Sequence, residues 1–287
     1  MIDPDFYLPL ARAAEDAGFN EMIVPDSICY PLESDASYPY TPDGDRTFIE
    51  DKPFLEPFSV IPAMGAVTAR MRFVTSVLKL TVRHPVLVAK QASSVQVLTG
   101  GRLVLGIGTS PWPEDYAVMG VPWERRGART DEMLTIIRGL LAGGYFEHHG
   151  DHFDVPAIKI APIPLTPVPL LVGGHAAPAL RRAAEHGDGW IHGGEGDGAD
   201  LAALVRRVLE LRSDSPRAAE PFEVHAISLD AYSVDGVRRL EDLGVTDVIV
   251  GFRYPYTRDQ DAEPLQHKID ALRRYADTVI AECRTAG

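Results

Sequence analysis

Cysteine is almost absent from this sequence, with only Cys29 and Cys283 among 287 residues. A fold held by disulfides needs more, so a reducing, cytoplasmic environment is expected. Long hydrophobic runs are absent too, since no stretch approaches the roughly 20 apolar residues that cross a bilayer. The start, MIDPDFYLPL, lacks the basic residues and the apolar core of a signal peptide. Membrane-embedded and secreted proteins are therefore not expected.

Positive charge is scarce as well. Lysine and arginine total 28 against 41 acidic residues, which gives a net charge of -13. Such a surface repels nucleic acids and anionic membranes, so the expected partner is a small-molecule substrate. Any anionic ligand must be held by local donors. An apolar content of 45% is typical of a globular protein with one large core.

Patterns for metal binding or nucleophilic catalysis are weak. The segment FEHHGDHF is typical of a β-hairpin. In a hairpin strand His148 and His149 point to opposite faces, so no metal site is expected. Cys29 has no evident histidine partner. Asp26 and Asp230 follow strand-like runs, but two scattered carboxylates are poor support for a glycosidase. No catalytic residue is assigned.

Short apolar runs alternate with helical patterns along the chain. Their continuous character is typical of parallel strands covered on both faces. The seven strand-like runs span 21–26, 72–78, 102–108, 169–174, 189–194, 223–229 and 247–252. The eight helical patterns span 5–17, 54–69, 85–99, 130–142, 176–186, 199–212, 234–243 and 265–280.

This alternation predicts an α/β fold, a (β/α)8 TIM barrel formed as a single domain over residues 1–287. Only Met1 and Ile2 precede the first helix, so the first strand is expected to be missing or very short. An open sheet is the alternative. Long connections at 27–53 and 109–125 follow strands and should lie at the carboxyl ends of the strands. The connection at 144–168 is expected to cross the barrel or to serve contacts between subunits.

Glycine is concentrated where strands end, at Gly106, Gly108 and Gly173–Gly174. In PLLVGGHAAPALRRAAEHGDGW a strand ends in the paired glycines and a helix starts almost at once. The free N–H groups of a helix start favour a phosphate, and Arg181, one turn further on, adds positive charge. A plain tight turn explains the paired glycines equally well, so both interpretations stay open.

Three segments carry a resemblance to a known family. They are HPVLVAKQASSVQVLTGGRLVLGIGTS, GVPWERRGARTDEML and VPLLVGGHAAPALRRAAEHGDGW, and they occur in a characteristic order. Together they resemble the bacterial luciferase-like monooxygenase superfamily, and more narrowly its coenzyme F420-dependent oxidoreductase branch. The resemblance covers roughly residues 5–195. It implies a barrel that binds a deazaflavin or flavin across the carboxyl ends of its strands.

The resemblance also implies roles for individual residues. Asp26 matches a position that hydrogen-bonds the pyrimidine side of the cofactor ring. Ser76 and Val77 match a bulge, often with a non-prolyl cis peptide bond, that supports the ring. The remaining cofactor residues are Gly106, Gly108 and Thr109 beside the ring, Gly173, Gly174, His175, Ala176 and Ala177 around the phosphate, and Arg181. The acidic tail of F420 makes Arg83, Arg181, Arg253 and Arg258 candidate partners.

The expected activity is hydride transfer between F420 and a small organic substrate. An FMN-dependent monooxygenase and a non-catalytic cofactor-binding protein are the alternatives, and a homodimer is expected from the resemblance alone. The sugar-phosphate dehydrogenase of this superfamily has a histidine and a glutamate where this chain has Ser27 and either Ser110 or Pro111. That acid/base pair is therefore absent.

Four residues are candidate substrate contacts: Ser27, Trp112, Tyr116 and His192. For Trp112 and Tyr116 the alternative is loop packing, and for His192 it is a hydrogen-bonded histidine of the core.

Overall fold

The computed structural model describes residues 2–38, 43–194, 198–252 and 261–285. The strands are β1 Glu21–Val24, β2 Arg72–Thr75, β3 Leu78–Lys79, β4 Leu103–Gly108, β5 Phe146–His149, β6 Asp154–Ile158, β7 Leu170–Gly173, β8 Gly189–Ile191, β9 Glu223–Ile227 and β10 Asp247–Ile249. The helices are α1 Tyr7–Ala17, α2 Pro57–Ala66, α3 Pro85–Leu98, α4 Pro113–Met119, α5 Arg126–Leu141, α6 Ala177–His186, α7 Gly198–Ser213, α8 Val234–Leu243, α9 Leu265–Tyr275 and α10 Ala281–Thr285.

One curled sheet forms the wall of the barrel. Its strands run in the order β1-β2-β4-β7-β8-β9-β10, all neighbours are parallel, and the short β3 continues beyond β2 to pair with β4. All seven predicted strands are confirmed. The α/β class and its luciferase-like barrel architecture are confirmed with them, because helices cover the outer face of a parallel sheet.

The wall is open between β1 and β10, which lie at the two ends of the strand order. A groove of about 550 Å³ runs along this opening, lined by apolar side chains such as Leu10 of α1 and Leu272 of α9. Within the described residues no strand occupies it. This agrees with the expectation that the first strand is missing.

The interior of the barrel is layered. Val74, Val104, Leu171 and Ile191 form a small buried cluster of their own, separate from the larger core between sheet and helices. Side chains two residues apart on a strand share a face. Arg72 therefore points inward below Val74, at the end of the barrel where the strands begin.

The long connections contain structure that the sequence pattern only partly predicts. The hairpin expected from FEHHGDHF is confirmed as the antiparallel pair β5–β6. α4 lies inside the 109–125 connection, where no helix was predicted. α5 begins at Arg126, earlier than the predicted 130. No helix of the described ranges is long and apolar enough to cross a membrane.

Candidate cofactor site

The carboxyl ends of the strands meet at one end of the barrel, where enzymes of this architecture bind their ligands. We call this region the mouth and define it by Asp26, Val77, Gly108, Gly173 and His192. The first four lie at or just after the ends of β1, β2, β4 and β7, and His192 follows β8. The fold therefore brings together four residues predicted to contact the cofactor and one, His192, predicted to contact the substrate.

Val77 is the half-buried centre of the mouth. The Ser76–Val77 peptide bond is cis, as the resemblance implied. A Cβ on Gly108 would lie 2.7 Å from Val77 Cγ2, and one on Gly173 would lie 2.8 Å from Val77 Cγ1. These two glycines therefore make room for Val77, which is the apolar surface that a ring would meet.

Gly106 lies deeper in the wall and is buried. A Cβ there would lie 2.0 Å from the carbonyl oxygen of Thr75 and 2.4 Å from Ile191 Cδ1. The glycine thus permits close packing of protein atoms. Thr109, just past the end of β4, is half-buried. Direct contact of a cofactor with Gly106, Gly108 or Thr109 remains a prediction.

Asp26 is engaged by the protein itself. Its carboxylate is 1% exposed and accepts hydrogen bonds from Arg83 Nη1 at 2.7 Å and from Arg83 Nη2 at 3.0 Å. The backbone N–H of Lys79 donates to the same carboxylate at 2.8 Å. Arg83 neutralises Asp26, and its predicted contact with the cofactor tail stays a prediction. The contact of Asp26 with a pyrimidine ring stays a prediction.

A second buried ion pair lies beside Asp26, and it was not predicted from the sequence. We call Lys79, Asp115, Ser110 and Cys29 the Lys79 cluster. Lys79 Nζ lies 2.7 Å from Asp115 Oδ2, and the two residues are 6% and 1% exposed. Ser110 Oγ donates to the same oxygen at 2.5 Å, and Cys29 Sγ lies 3.8 Å from Asp115 Oδ1.

The surroundings of Cys29 in the Lys79 cluster favour its protonated thiol. Burial raises the pKa of the Cys29 thiol, and the neighbouring Asp115 carboxylate raises it further. A protonated thiol is a poor nucleophile. This agrees with the interpretation that Cys29 is not a catalytic nucleophile.

The aromatic residues of the 109–125 connection are packed within the protein. Trp112 is 5% exposed, stacks on Tyr38 with ring centroids 5.3 Å apart, and lies under the guanidinium of Arg46. Tyr116 is 1% exposed and shares a hydrogen bond with Thr81. These contacts favour the packing interpretation. Ser27 is half-buried next to Asp26. Substrate contact by Ser27, Trp112 or Tyr116 stays a prediction.

The start of α6 opens onto solvent beside the mouth. Ala176 precedes the helix without a side-chain cap, and Ala176 and Ala177 are exposed. Gly174 has a φ of +118°, which turns the chain sharply from β7 into the helix. Arg181 is exposed, whereas Arg182 is buried against Asp131. The paired glycines form a tight turn and also leave the start of α6 exposed, so the two interpretations are compatible and this position can accept an anion.

His192 lies beside this helix start, and its two ring nitrogens differ in their hydrogen bonding. It is 3% exposed, and its ring stacks on His175 with centroids 4.6 Å apart. His192 Nδ1 lies 3.2 Å from the carbonyl oxygen of Ile227, while Nε2 has no hydrogen-bond partner within the part of the chain that the structure describes. Burial, with the nearby His175, lowers the pKa of His192 to about 4. The ring is therefore neutral at pH 7, with Nδ1 as donor and Nε2 as acceptor.

His175 is fixed by the backbone of the mouth. Its Nε2 accepts a hydrogen bond from the N–H of Gly193 at 2.9 Å. Burial lowers the pKa of His175. Contact of His175 with a phosphate, and of His192 with a substrate, stay predictions. Arg253 and Arg258, the other expected tail contacts, lie outside the described residues.

The opposite end of the barrel interior is charged. We call Glu21, Arg72, Glu223, His225 and Asp247 the floor cluster. Arg72 pairs with Glu21 at 3.0 Å and with Glu223 at 2.9 Å. His225 Nε2 lies 2.9 Å from Glu223, and its Nδ1 lies 3.5 Å from Glu21.

The surroundings of His225 favour its protonated form. Burial lowers its pKa, but the hydrogen bond to Glu223 and the carboxylates of Glu21 and Asp247 outweigh burial, so the net shift is upward. Glu21, His225 and Asp247 are close enough to share a metal ion. Both ring nitrogens of His225 already face carboxylate oxygens, so the geometry favours an ion-pair network.

Comparison with known proteins agrees with this architecture. A family described as luciferase-like monooxygenase matches residues 2–274. An uncharacterised protein of Mycobacterium tuberculosis (strain H37Rv) is 58% identical over 282 residues, which cover 98% of this chain and 97% of that protein.

Two more distant proteins are named for coenzyme F420. The F420-dependent glucose-6-phosphate dehydrogenase of Beutenbergia cavernae is 30% identical over 233 residues, covering 79% of this chain and 64% of that protein. The solved structure of the coenzyme F420 dependent tetrahydromethanopterin reductase from Methanopyrus kandleri superposes with a TM-score of 0.71 at 16% identity. That match covers 98% of this chain and 96% of the other, and it shows a shared fold.

Proposed function

This chain belongs to the luciferase-like monooxygenase family, and from that membership we propose that it is an F420-dependent oxidoreductase. In this proposal it transfers a hydride between the deazaflavin and a small organic substrate. One observation carries the proposal: the half-buried Val77 lies at the mouth together with the uncapped start of α6. An apolar surface beside an anion-binding helix start fits a flat ring that carries a phosphate.

Different residues of the mouth bind different parts of such a cofactor. Val77 supports the ring, Asp26 meets its pyrimidine side, and residues 173–177 with Arg181 hold the phosphate. The bound cofactor supplies the hydride chemistry, and the protein supplies position and electrostatics. Asp26 reaches the ring with its geometry already fixed by Arg83, so little reorganisation is needed on binding.

The substrate differs from that of the sugar-phosphate dehydrogenase. That enzyme's acid/base positions hold Ser27 and either Ser110 or Pro111 here. Ser110 is 1% exposed, and its hydroxyl donates to Asp115. A serine hydroxyl that is buried and used in this way cannot replace a glutamate as a proton donor. We therefore propose a small organic substrate other than a sugar phosphate.

An FMN-dependent monooxygenase is the second candidate. The same helix start accepts the single phosphate of FMN, and the family's description names monooxygenases. The acidic tail of F420 separates the two candidates, because it needs a further cation outside the phosphate site. The exposed Arg181 is the cation nearest the start of α6 along the chain.

A fluorescence titration of the purified protein with oxidised F420, run beside FMN, tests the proposal. We expect saturable binding of F420 and weaker binding of FMN. The phosphate-free chromophore of each cofactor should bind at least tenfold more weakly, because charge-assisted hydrogen bonds at the helix start would be lost. Tighter binding of FMN would move the function to oxygen-dependent chemistry, and binding of neither would contradict both candidates.

A variant pair locates the site. Asp26→Asn keeps the shape of the side chain but removes its charge, and we expect it to weaken F420 binding about tenfold, the loss of one charge-assisted hydrogen bond. Asp151→Asn is the matched control, since Asp151 is 70% exposed and pairs with Arg125 on the surface. Equal affinities in the two variants would remove Asp26 from the site. Light scattering tests the homodimer that is part of this proposal.

A further inference from the structure

We propose that Lys79 is a cofactor-facing cation, which donates to the pyrimidine edge of the bound ring and stabilises the negative charge gained on two-electron reduction. This inference rests on the proposed function and deepens it. It concerns any flavin or deazaflavin bound at the mouth. Lys79 was not among the residues that the sequence pattern indicated.

The first argument is position. Lys79 ends β3, the short strand that directly follows the Ser76–Val77 bulge. Its backbone N–H donates to Asp26 Oδ2 at 2.8 Å. Lys79 is thus adjacent in the chain to the residues that support the ring and hydrogen-bonded to the residue assigned to the pyrimidine edge.

The second argument is the state of the ammonium group. Lys79 is 6% exposed, and no aligned hydrogen-bond acceptor for its Nζ exists among the described residues. Asp115 lies 2.7 Å away and balances the charge without taking an aligned hydrogen bond. A lysine has three N–H donors, and buried donors without partners are rare in folded proteins. An acceptor oxygen on a ligand would satisfy this group.

The third argument is that both carboxylate oxygens of Asp115 already face other donors of the cluster. Asp115 Oδ2 already accepts from Ser110, and Asp115 Oδ1 faces the thiol of Cys29. The thiol is protonated, because burial and Asp115 raise its pKa. Asp115 therefore holds the ammonium in place, and the unused donors remain for a ligand.

The chemistry that follows is electrostatic. A hydride delivers two electrons and one proton to the reactive ring carbon or nitrogen, and the pyrimidine half of the ring then carries the added negative charge. A cation at that edge favours the reduced form and raises the reduction potential. Lys79 keeps its proton throughout and acts by charge alone.

The competing explanation is structural, with Lys79 serving only to attach α4 to β3 through Asp115. The chain offers a matched control for that role. Lys268 is 1% exposed and pairs with Asp261 at 2.5 Å, in α9 and outside the residues assigned to the cofactor. Lys268→Met therefore reports the cost of removing a buried ammonium, without any effect on a bound ring.

The experiment measures the affinities of the oxidised and reduced forms of F420 and FMN, and the midpoint potential of each bound ring. In Lys79→Met we expect the affinity for the reduced form to fall at least tenfold more than that for the oxidised form. A tenfold difference corresponds to about 30 mV in a two-electron couple. Lys79→Arg should retain most of the potential, and Lys268→Met should leave it unchanged.

A second variant, which removes a negative charge instead of a positive one, keeps the proposal testable if Lys79→Met does not fold. Asp115→Asn removes the balancing carboxylate and should raise the potential of the bound ring. An unchanged potential in Lys79→Met and Asp115→Asn, with the ring still bound, would overturn the role of Lys79 and leave the proposed function standing. Failure of the wild-type protein to bind either ring would overturn both.

Discussion

The floor cluster and the mouth lie at opposite ends of the same barrel interior, and each contains a buried histidine. His225 is 1% exposed and faces carboxylates from both ring nitrogens. His192 is 3% exposed and meets one carbonyl oxygen and a neighbouring ring, and its Nε2 is without a hydrogen-bond partner in the described ranges. Their pKa values consequently move in opposite directions, upward for His225 and downward for His192.

This difference separates groups that hold the fold from groups available to a ligand. On the floor, Arg72 and His225 each lie against at least two carboxylates. Near the mouth, Lys79 Nζ meets Asp115 in an ion pair that is not aligned as a hydrogen bond, and His192 Nε2 is buried with no hydrogen-bond partner among the described residues. Glu21 Oε1 on the floor also lacks an aligned hydrogen bond, but it lies 3.0 Å from Arg72. An unpartnered buried polar atom destabilises a protein, so His192 Nε2 is the atom that favours a functional explanation at the ligand-binding end.

The largest expected effect comes from removing the floor histidine. His225→Ala leaves Glu21, Glu223 and Asp247 with Arg72 as their only cation in the cluster. We expect the free energy of unfolding to fall by about 3–5 kcal/mol, as when one partner of a buried pair is removed. Urea unfolding at pH 7, followed by circular dichroism, measures it. A loss below about 1 kcal/mol would show that the floor cluster is not structural.

The next effect is a pH dependence that originates at the mouth. His192 titrates near 4 in the folded protein and near its ordinary 6.5 when unfolded. Between these values the unfolded chain binds more protons, so stability falls as the pH falls from about 6.5 to 4. At 1.36 kcal/mol for each pH unit, the loss is roughly 3 kcal/mol. Urea unfolding across this range should show it in the wild type and not in His192→Phe.

His225 gives the opposite sign and sharpens the same comparison. Its pKa is raised in the folded protein, so its contribution is present below about 6.5 and is lost as the pH rises through the folded pKa. In His225→Ala the alkaline decline in stability should become shallower, and the acid decline due to His192 should persist. A change in the acid limb alone would contradict the assignment.

A smaller effect on stability is expected where Val77 packs against Gly108. Gly108→Ala places a Cβ 2.7 Å from Val77 Cγ2, and overpacking of this kind costs about 1–3 kcal/mol. Val77→Ala removes the obstruction, so the double variant should recover part of the loss. A double-mutant cycle in urea gives the coupling. Additive losses would mean that Val77 does not occupy the space above Gly108.

The smallest effect is expected from His192→Phe at pH 7.5. The variant loses the hydrogen bond to Ile227, worth about 1 kcal/mol, but it also removes the unpartnered Nε2. The two changes nearly cancel, and the free energy of unfolding should change by less than about 1 kcal/mol. A loss as large as that of His225→Ala would remove the distinction between the two ends.

The strands could be predicted from sequence because burial on both faces makes each one a continuous apolar run. The positions that end those strands followed, and with them Asp26, Val77 and the start of α6. What the pattern could not show were partners distant in the chain. Lys79 lies inside the apolar stretch SVLKLTV and looks like an interruption, because its partner Asp115 is on a helix that was not predicted.

The same limit applies to the side chains whose environment is set by folding. Asp26 reads as an available carboxylate, yet Arg83 neutralises it. The sequence left open whether Tyr116 contacts substrate or packs the loop, and it could not show that the hydroxyl meets Thr81 inside the protein. Hydrophobic periodicity reports which face of an element is buried, and it carries no information about which polar groups meet there.

The packing of Val77 against Gly108 and Gly173 restricts which substitutions these three positions tolerate. Both methyl groups of that side chain occupy space that Gly108 and Gly173 leave empty, so the three positions cannot vary independently. A larger residue at 108 or 173 becomes tolerable only after position 77 has become smaller. In an alignment of close relatives the three positions should therefore covary, and ancestral changes at position 77 should precede those at the glycines.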